Sequence, residues 1–256
     1  DAYHDVAAWA IATGFFKLLV TLAGIAVYAP ILLVFATEPE FSSLVAYRIM
    51  THLGITDMMQ LAMHAFSAVI DITRYDAVPD QVNYAIGALL NAPWFPMLLL
   101  SMLLTLQRAS YIASGASVRR VVAQWRNIRI CVVFIWLVGG VFLGIFFSPW
   151  CKYMYYTHDF TYDYVEDLPL SGIVSFIDEN LNLANVIVNI VSYVLIFFSL
   201  KRKGAKKITS REMLVTLQVF LINCFMTLAY VYWNVVEVRI EATIATGLVS
   251  ELFWIV

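Results

Sequence analysis

Six uninterrupted apolar runs dominate this chain and leave it very few ways to fold. They cover about Ala8–Phe35, Ile49–Ile72, Val82–Leu106, Ile130–Pro149, Leu181–Leu200 and Met213–Val236. A helix needs roughly 20 mostly apolar residues to cross a bilayer, and each run supplies that length. In hydrocarbon every backbone N–H and C=O must be satisfied internally, which leaves α-helices or a closed β-barrel. Barrel strands are about ten residues long with alternating polarity. These runs are continuously apolar, so the barrel is excluded. We expect an all-α membrane protein, a bundle of transmembrane helices.

A seventh run, Ala242–Val256, has fifteen residues where the sequence stops. We expect a truncated seventh span, and a single bundle domain over residues 1–256 that is incomplete at both ends. The charged fraction of 13% is about half the ~25% of an ordinary soluble domain. No soluble domain, linker or internal repeat is apparent.

The basic residues are sorted by side. Arg48 lies between runs one and two. Arg108, Arg119, Arg120, Arg126 and Arg129 lie between runs three and four. Lys201, Arg202, Lys203, Lys206, Lys207 and Arg211 lie between runs five and six. The opposite side carries only Arg74, Lys152 and Arg239. Lys and Arg in short loops stay cytoplasmic on insertion. The N-terminus is therefore expected outside, in a multi-pass protein of the plasma membrane. The long outer loop Trp150–Glu179 is rich in tyrosine and acid. The six basic residues of Lys201–Arg211 lie where anionic lipid would meet them.

Soluble enzyme chemistry finds no support. His52 and His64 are twelve residues apart, about 120° out of phase on a helix, so a shared metal is not expected. Cys131 and Cys151 lack metal-site spacing. There is no phosphate loop, and the visible part of run seven has no lysine to carry a Schiff base. No metal, cofactor or nucleic-acid partner is expected. Cys131 and Cys224 read as packing residues, and Cys151 reads as a free thiol on the outer side.

Asp57 lies inside run two. An intramembrane carboxylate is costly unless it faces the bundle interior. It reads either as an ion or water site that changes between states or as a structural anchor. Glu251 in run seven is a second such carboxylate, facing a cationic ligand or pairing with Lys17. Arg108, at the inner end of run three, reads either as a snorkelling interface residue or as one that pairs within the bundle or meets a cytoplasmic partner.

Pro93 and Pro96 remove two backbone donors and should kink the outer half of run three. The opened space would be lined by Asn91 and Trp94, if it is not ordinary packing. Asn182, Asn185 and Asn189 share one face of run five, as a pocket wall or as interhelical hydrogen bonds. Tyr230, Trp233 and Asn234 either belong to the interfacial aromatic belt or roof a pocket. Gly140 and Gly144 form a G-x-x-x-G, expected to pack within the monomer.

The segment YRIMTHLGITDMMQL at Tyr47–Leu61, with its leucine–small–aspartate pattern around Asp57, resembles the second helix of rhodopsin-like seven-helix receptors. LLSMLLTLQRASYI at Leu99–Ile112 resembles the end of their third helix, with Arg108 as its arginine. Trp136 stands where the fourth helix usually has its tryptophan. Tyr28-Ala29-Pro30 and the YRIM-HLGI-D string narrow the resemblance to nematode serpentine chemoreceptors, class t (Srt). The resemblance implies a G protein-coupled receptor. An extracellular small molecule or peptide would bind among Asn91, Trp94, Asn182, Asn185, Tyr230, Trp233 and Glu251. Asp57 and Arg108 would form the switch. Arg108, Lys201, Arg202, Lys206 and Lys207 would face a heterotrimeric G protein.

Three departures qualify it. Gln107 and Ala109 replace the acidic and aromatic neighbours usual around the arginine, which removes the customary charged lock. Counting back 25 residues from Arg108, to where a cysteine is usual, gives Asn83. A disulfide to the outer loop is therefore not expected. The end of helix seven lies past Val256. The alternative left open is a transporter or channel with Asp57 and Glu251 on a substrate or proton path.

Overall fold

The computed structural model describes residues 2–73, 78–114, 116–157, 160–203, 210–236, 239, 249–250 and 252–254. The elements in chain order are α1 (Ala2–Thr37), α2 (Pro39–Ser42), α3 (Val45–Thr73), α4 (Asp80–Asn91), α5 (Trp94–Ala113), α6 (Ala116–Val122), α7 (Trp125–Phe147), β1 (Tyr153–Tyr156), β2 (Thr161–Tyr164), α8 (Ser171–Lys203) and α9 (Ser210–Val231). A π-helical turn, Tyr232–Val236, continues α9. Among the described residues six segments are long and apolar enough to cross a membrane, one for each of the six complete runs. Most of run seven lies outside the described residues, Glu251 included. So do Lys206 and Lys207.

Burial separates lipid-facing from bundle-facing surface. Thr13, Gly14, Lys17 and Thr21 are the buried side of α1 among its described side chains, three to four residues apart. That spacing puts them on one helical stripe. Phe15, Phe16, Leu19 and Leu33 stay exposed, as a face against lipid would. The principal core joins Tyr47, Ile49 and Leu53 of α3 to Leu98, Leu100 and Leu104 of α5, with Ile135 of α7 and Val215 and Val219 of α9.

The third run is broken where its prolines lie. α4 ends with Ala92 N–H on the Ala88 carbonyl (3.0 Å), and α5 starts afresh with Met97 N–H on the Pro93 carbonyl (3.0 Å). Neither proline has an N–H to carry the ladder across. The break sets Trp94 at the head of α5.

The long loop is shorter and more ordered than its sequence suggests. α8 begins at Ser171, ten residues before the expected start at Leu181. The preceding stretch folds as an antiparallel hairpin pairing Tyr153 with Tyr164 and Tyr155 with Tyr162. Its base is closed by Val165 N–H to Lys152 O (3.1 Å) and Leu170 N–H to Trp150 O (2.9 Å). Aromatic residues suit a pleated, half-buried surface, and here one face lies on the bundle. The two ends of the molecule are therefore a hairpin end and a basic end.

One packing expectation is corrected. Gly140 and Gly144 meet nothing within 4 Å. α7 turns Val132, Ile135, Gly139 and Phe146 inward, and the G-x-x-x-G falls on its exposed side. Cys151 is free but fully buried, with the Ser171 hydroxyl 3.8 Å from its sulfur. Burial also pushes its thiol pKa up.

Candidate functional site

A cavity of about 220 Å³ opens among α1, α3, α5, α9 and residues 252–254. Its floor on α3 is Leu53, Asp57, Gln60 and Leu61, whose three- and four-residue spacing points them the same way. Across from them α9 supplies Ile222, Phe225, Met226 and Ala229. The α5 wall is Trp94, Met97 and Ser101. Trp233, Phe253 and Trp254 complete it towards the hairpin end. Among the described lining residues Asp57 is the one charged side chain, and Tyr28 lines the same cavity. A second, more open and largely apolar cavity of about 300 Å³ between α1, α3 and α9 shares Tyr28, Leu53, Asp57 and Ile222 with the first.

Three tryptophans meet at the cavity wall. Trp94 lies 5.7 Å from Trp233 and 5.4 Å from Trp254, and Trp233 lies 6.0 Å from Trp254, all inclined rather than stacked. Each of their N–H groups has a protein acceptor. Trp94 Nε1 donates to Asp178 Oδ1 (2.7 Å), Trp233 Nε1 to Ser250 Oγ (2.9 Å) and Trp254 Nε1 to Gln60 Oε1 (2.6 Å).

The hairpin covers this end. Asn83 Nδ2 donates to the Tyr155 carbonyl and Asn83 Oδ1 accepts from the Tyr155 N–H, both at 2.9 Å. A side chain at Gly87 would collide with the Tyr153 carbonyl, so α4 and β1 touch backbone to backbone there. The Tyr164 hydroxyl donates to Asp178 Oδ2 (2.9 Å) and accepts from Asn91 Nδ2 (2.9 Å). Burial, then the Asp178 charge, raises the Tyr164 pKa far above its ordinary value, which keeps the donated proton in place.

Below the hairpin lies an ion pair whose carboxylate the sequence does not name. Lys17 Nζ meets Asp71 Oδ2 at 3.1 Å and Tyr155 Oη at 2.9 Å. The Tyr155 hydroxyl donates to Asp71 Oδ1 at 2.7 Å. Lys17 and Asp71 are almost wholly buried. Asp71 is thus a partner of Lys17, and Glu251, the acid weighed for that place, lies outside the described residues. A lone lysine in an apolar run signals a hidden carboxylate, but nothing in the sequence says which one.

At the basic end, Arg108 is buried and crosses from α5 to α9. Its Nη2 donates to the Glu212 carbonyl and to Thr216 Oγ1, each at 3.1 Å. Tyr111 donates to Glu212 Oε1 (2.6 Å) and lies under the guanidinium at 5.3 Å. With Gln107 in place of an acid, the arginine is held by the next helix. Gln107 Nε2 instead donates to the Val122 carbonyl (3.2 Å).

The predicted ligand residues divide. Trp94 and Trp233 line the cavity. Asn91 does not: the hairpin claims its amide. Asn182 and Asn185 are buried but are not part of the lining, and Asn189 Nδ2 donates to Asn185 Oδ1 (3.1 Å). Their face is buried, and this bond runs within α8. Tyr230 is half-buried outside the lining, and its carbonyl accepts from Asn234 (3.0 Å). Lys201 and Arg202 are exposed at the end of α8. Trp136 Nε1 donates to His52 Nδ1 (3.2 Å), and His52 stacks on Trp125. No group of three or more metal-ligating side chains occurs among the described residues.

Residues 4–256 match the family described as "serpentine type 7TM GPCR chemoreceptor Srt". The fold is similar to squid rhodopsin, with a TM-score of 0.75 and 13% identity over 97% of this chain and 80% of that one. No curated protein matches the chain in sequence. The family's description is that of a receptor.

Proposed function

The chain belongs to the Srt family of serpentine seven-helix receptors, and on that premise we propose that it binds an extracellular ligand within its bundle and signals to a cytoplasmic heterotrimeric G protein. The hairpin end faces outside and the basic end faces the cytoplasm, in the plasma membrane.

One observation supports this reading above the others. The same two helices build the cavity wall and the arginine latch. α5 and α9 meet at Trp94, Met97, Phe225 and Met226 on one level and at Arg108, Glu212 and Thr216 on another. Ser101 and Arg108 are seven residues apart, roughly 10 Å along the helix. Between the two levels Ser101 Oγ donates to Asn223 Oδ1 (3.1 Å), and Asn223 Nδ2 donates to Thr105 Oγ1 (2.7 Å).

A ligand that spreads α5 from α9 in the cavity loads this clamp and then the latch. Release of α9 uncovers Arg108 for the G protein, which would also contact Lys201, Arg202, Lys206 and Lys207. Such a shift requires the ligand to bind the open arrangement more tightly than the closed one. Asp57, on the cavity floor beside Tyr28, serves as the polar hinge of the switch.

The test is ligand-stimulated nucleotide exchange on co-expressed G proteins, with a panel of water-soluble and volatile compounds. Arg108→Ala should abolish the response while surface expression persists. A response unchanged in Arg108→Ala would sink the switch. Uptake of a labelled solute into vesicles carrying the receptor, blocked by Asp57→Asn, would favour transport instead.

A further inference from the structure

The polar hydrogens on the cavity wall are already committed. The three tryptophan N–H groups go to Asp178, Ser250 and Gln60. The Ser101 hydroxyl goes to Asn223. The Gln60 amide goes to the Thr56 carbonyl (3.4 Å) and the Met97 sulfur (3.6 Å). The Tyr28 hydroxyl lies close to Asp57.

An anion, or a ligand rich in acceptors, therefore meets no free donor among the described lining residues and no Lys, Arg or His. It would lose its hydration without replacement. A cation meets the opposite surroundings. Asp57 is the single charge among the described lining residues, and the indoles present ring surface because their donors already have partners. A cation is attracted to an aromatic face, tryptophan best of all. The rest of the wall is aliphatic or thioether and suits a short apolar body.

We propose that this cavity takes a small organic cation, an amine or quaternary ammonium, with its charge towards Asp57 and its body against Trp94, Trp233 and Trp254. This rests on the reading of the cavity as the ligand site and names the ligand's chemical class.

The experiment compares three probes of nearly equal shape on the purified full-length receptor in lipid nanodiscs, followed by tryptophan fluorescence, with empty discs subtracted. Phenyltrimethylammonium carries the charge, tert-butylbenzene is its neutral carbon isostere, and benzoate is an anion. The cation should bind roughly tenfold or more tighter than the isostere, and benzoate should not bind. Asp57→Asn should erase most of the preference for the cation over the isostere.

Equal binding of cation and isostere, absence of cation binding, or saturable benzoate binding would each overturn the proposal. The wild-type comparison decides without any variant having to fold. Because no G protein is present, the outcome is separate from signalling. Selective cation binding without exchange activity would leave this inference standing and remove the signalling reading. A signalling response to neutral compounds alone, with no cation preference, would do the reverse.

Discussion

Asn83 grips the Tyr155 backbone from both sides, giving one hydrogen bond and accepting another, each at 2.9 Å. It occupies the position where related receptors usually tether this loop through a cysteine. The tether here is an amide pair with no covalent component.

Asn83→Ala should therefore loosen the hairpin. Two hydrogen bonds are lost and two buried backbone groups are left unmade, a cost of about 2–4 kcal/mol. The midpoint of thermal unfolding should fall, and amide exchange should rise at Tyr153–Tyr156 before anywhere else. Reductant should leave the wild-type midpoint unchanged. A midpoint lowered by reductant would mean that a disulfide holds the hairpin.

Cys151 lies under the same hairpin, buried, with a thiol whose pKa burial raises. A membrane-impermeant maleimide should label it slowly at neutral pH. Thiolate is the reactive form, and a raised pKa leaves less of it at a given pH. Labelling should speed up as the medium is made alkaline and again in Asn83→Ala. Rapid labelling of the wild type at neutral pH would contradict the burial.

Lys17→Met should be severely destabilising, because it strands Asp71 as a buried, unpaired charge. Breaking such a pair from one side costs about 3–5 kcal/mol. The double variant Lys17→Met with Asp71→Leu should recover much of the loss. Expression and thermal midpoint are the measurements, and a double variant no better than the single would count against the pair.

The α5–α9 clamp should restrain the receptor at rest. Thr216→Val and Asn223→Leu each remove hydrogen bonds between these helices, at about 1 kcal/mol per bond. Each should raise ligand-independent nucleotide exchange if the lost bonds favour only the closed state, by roughly fivefold for the one bond of Thr216 and by roughly 25-fold for the two of Asn223. Unchanged basal exchange in both variants would remove the clamp from the mechanism.

The spans were legible because continuous apolar length is a one-dimensional signal. The α4–α5 break was legible because proline acts on its own backbone. The start of α8 was not, since Asp178 and Glu179 look like loop residues until Trp94 and Tyr164 are seen to hold one of them. The hairpin was hidden for the same reason. Its tyrosines are anchored to α3, α4 and α8, and no local pattern names those partners. The asparagines of α8 were placed on a buried face correctly, but which neighbour they face depends on helix packing. Arg108 was recognised by its neighbours in sequence, whereas its holders come from 104 and 108 residues further along the chain.

The Lys17–Asp71 pair also sets an order of events during synthesis. Lys17 enters the membrane in the first span, and its carboxylate partner follows 54 residues later. Until then an ammonium faces hydrocarbon alone, at a cost that keeps such a helix near the translocon or the headgroups. The first span becomes a settled resident of the bilayer only when the second arrives beside it. The two helices are best regarded as one insertion unit, and a ribosome-bound chain cut between them should remain extractable where a slightly longer one does not.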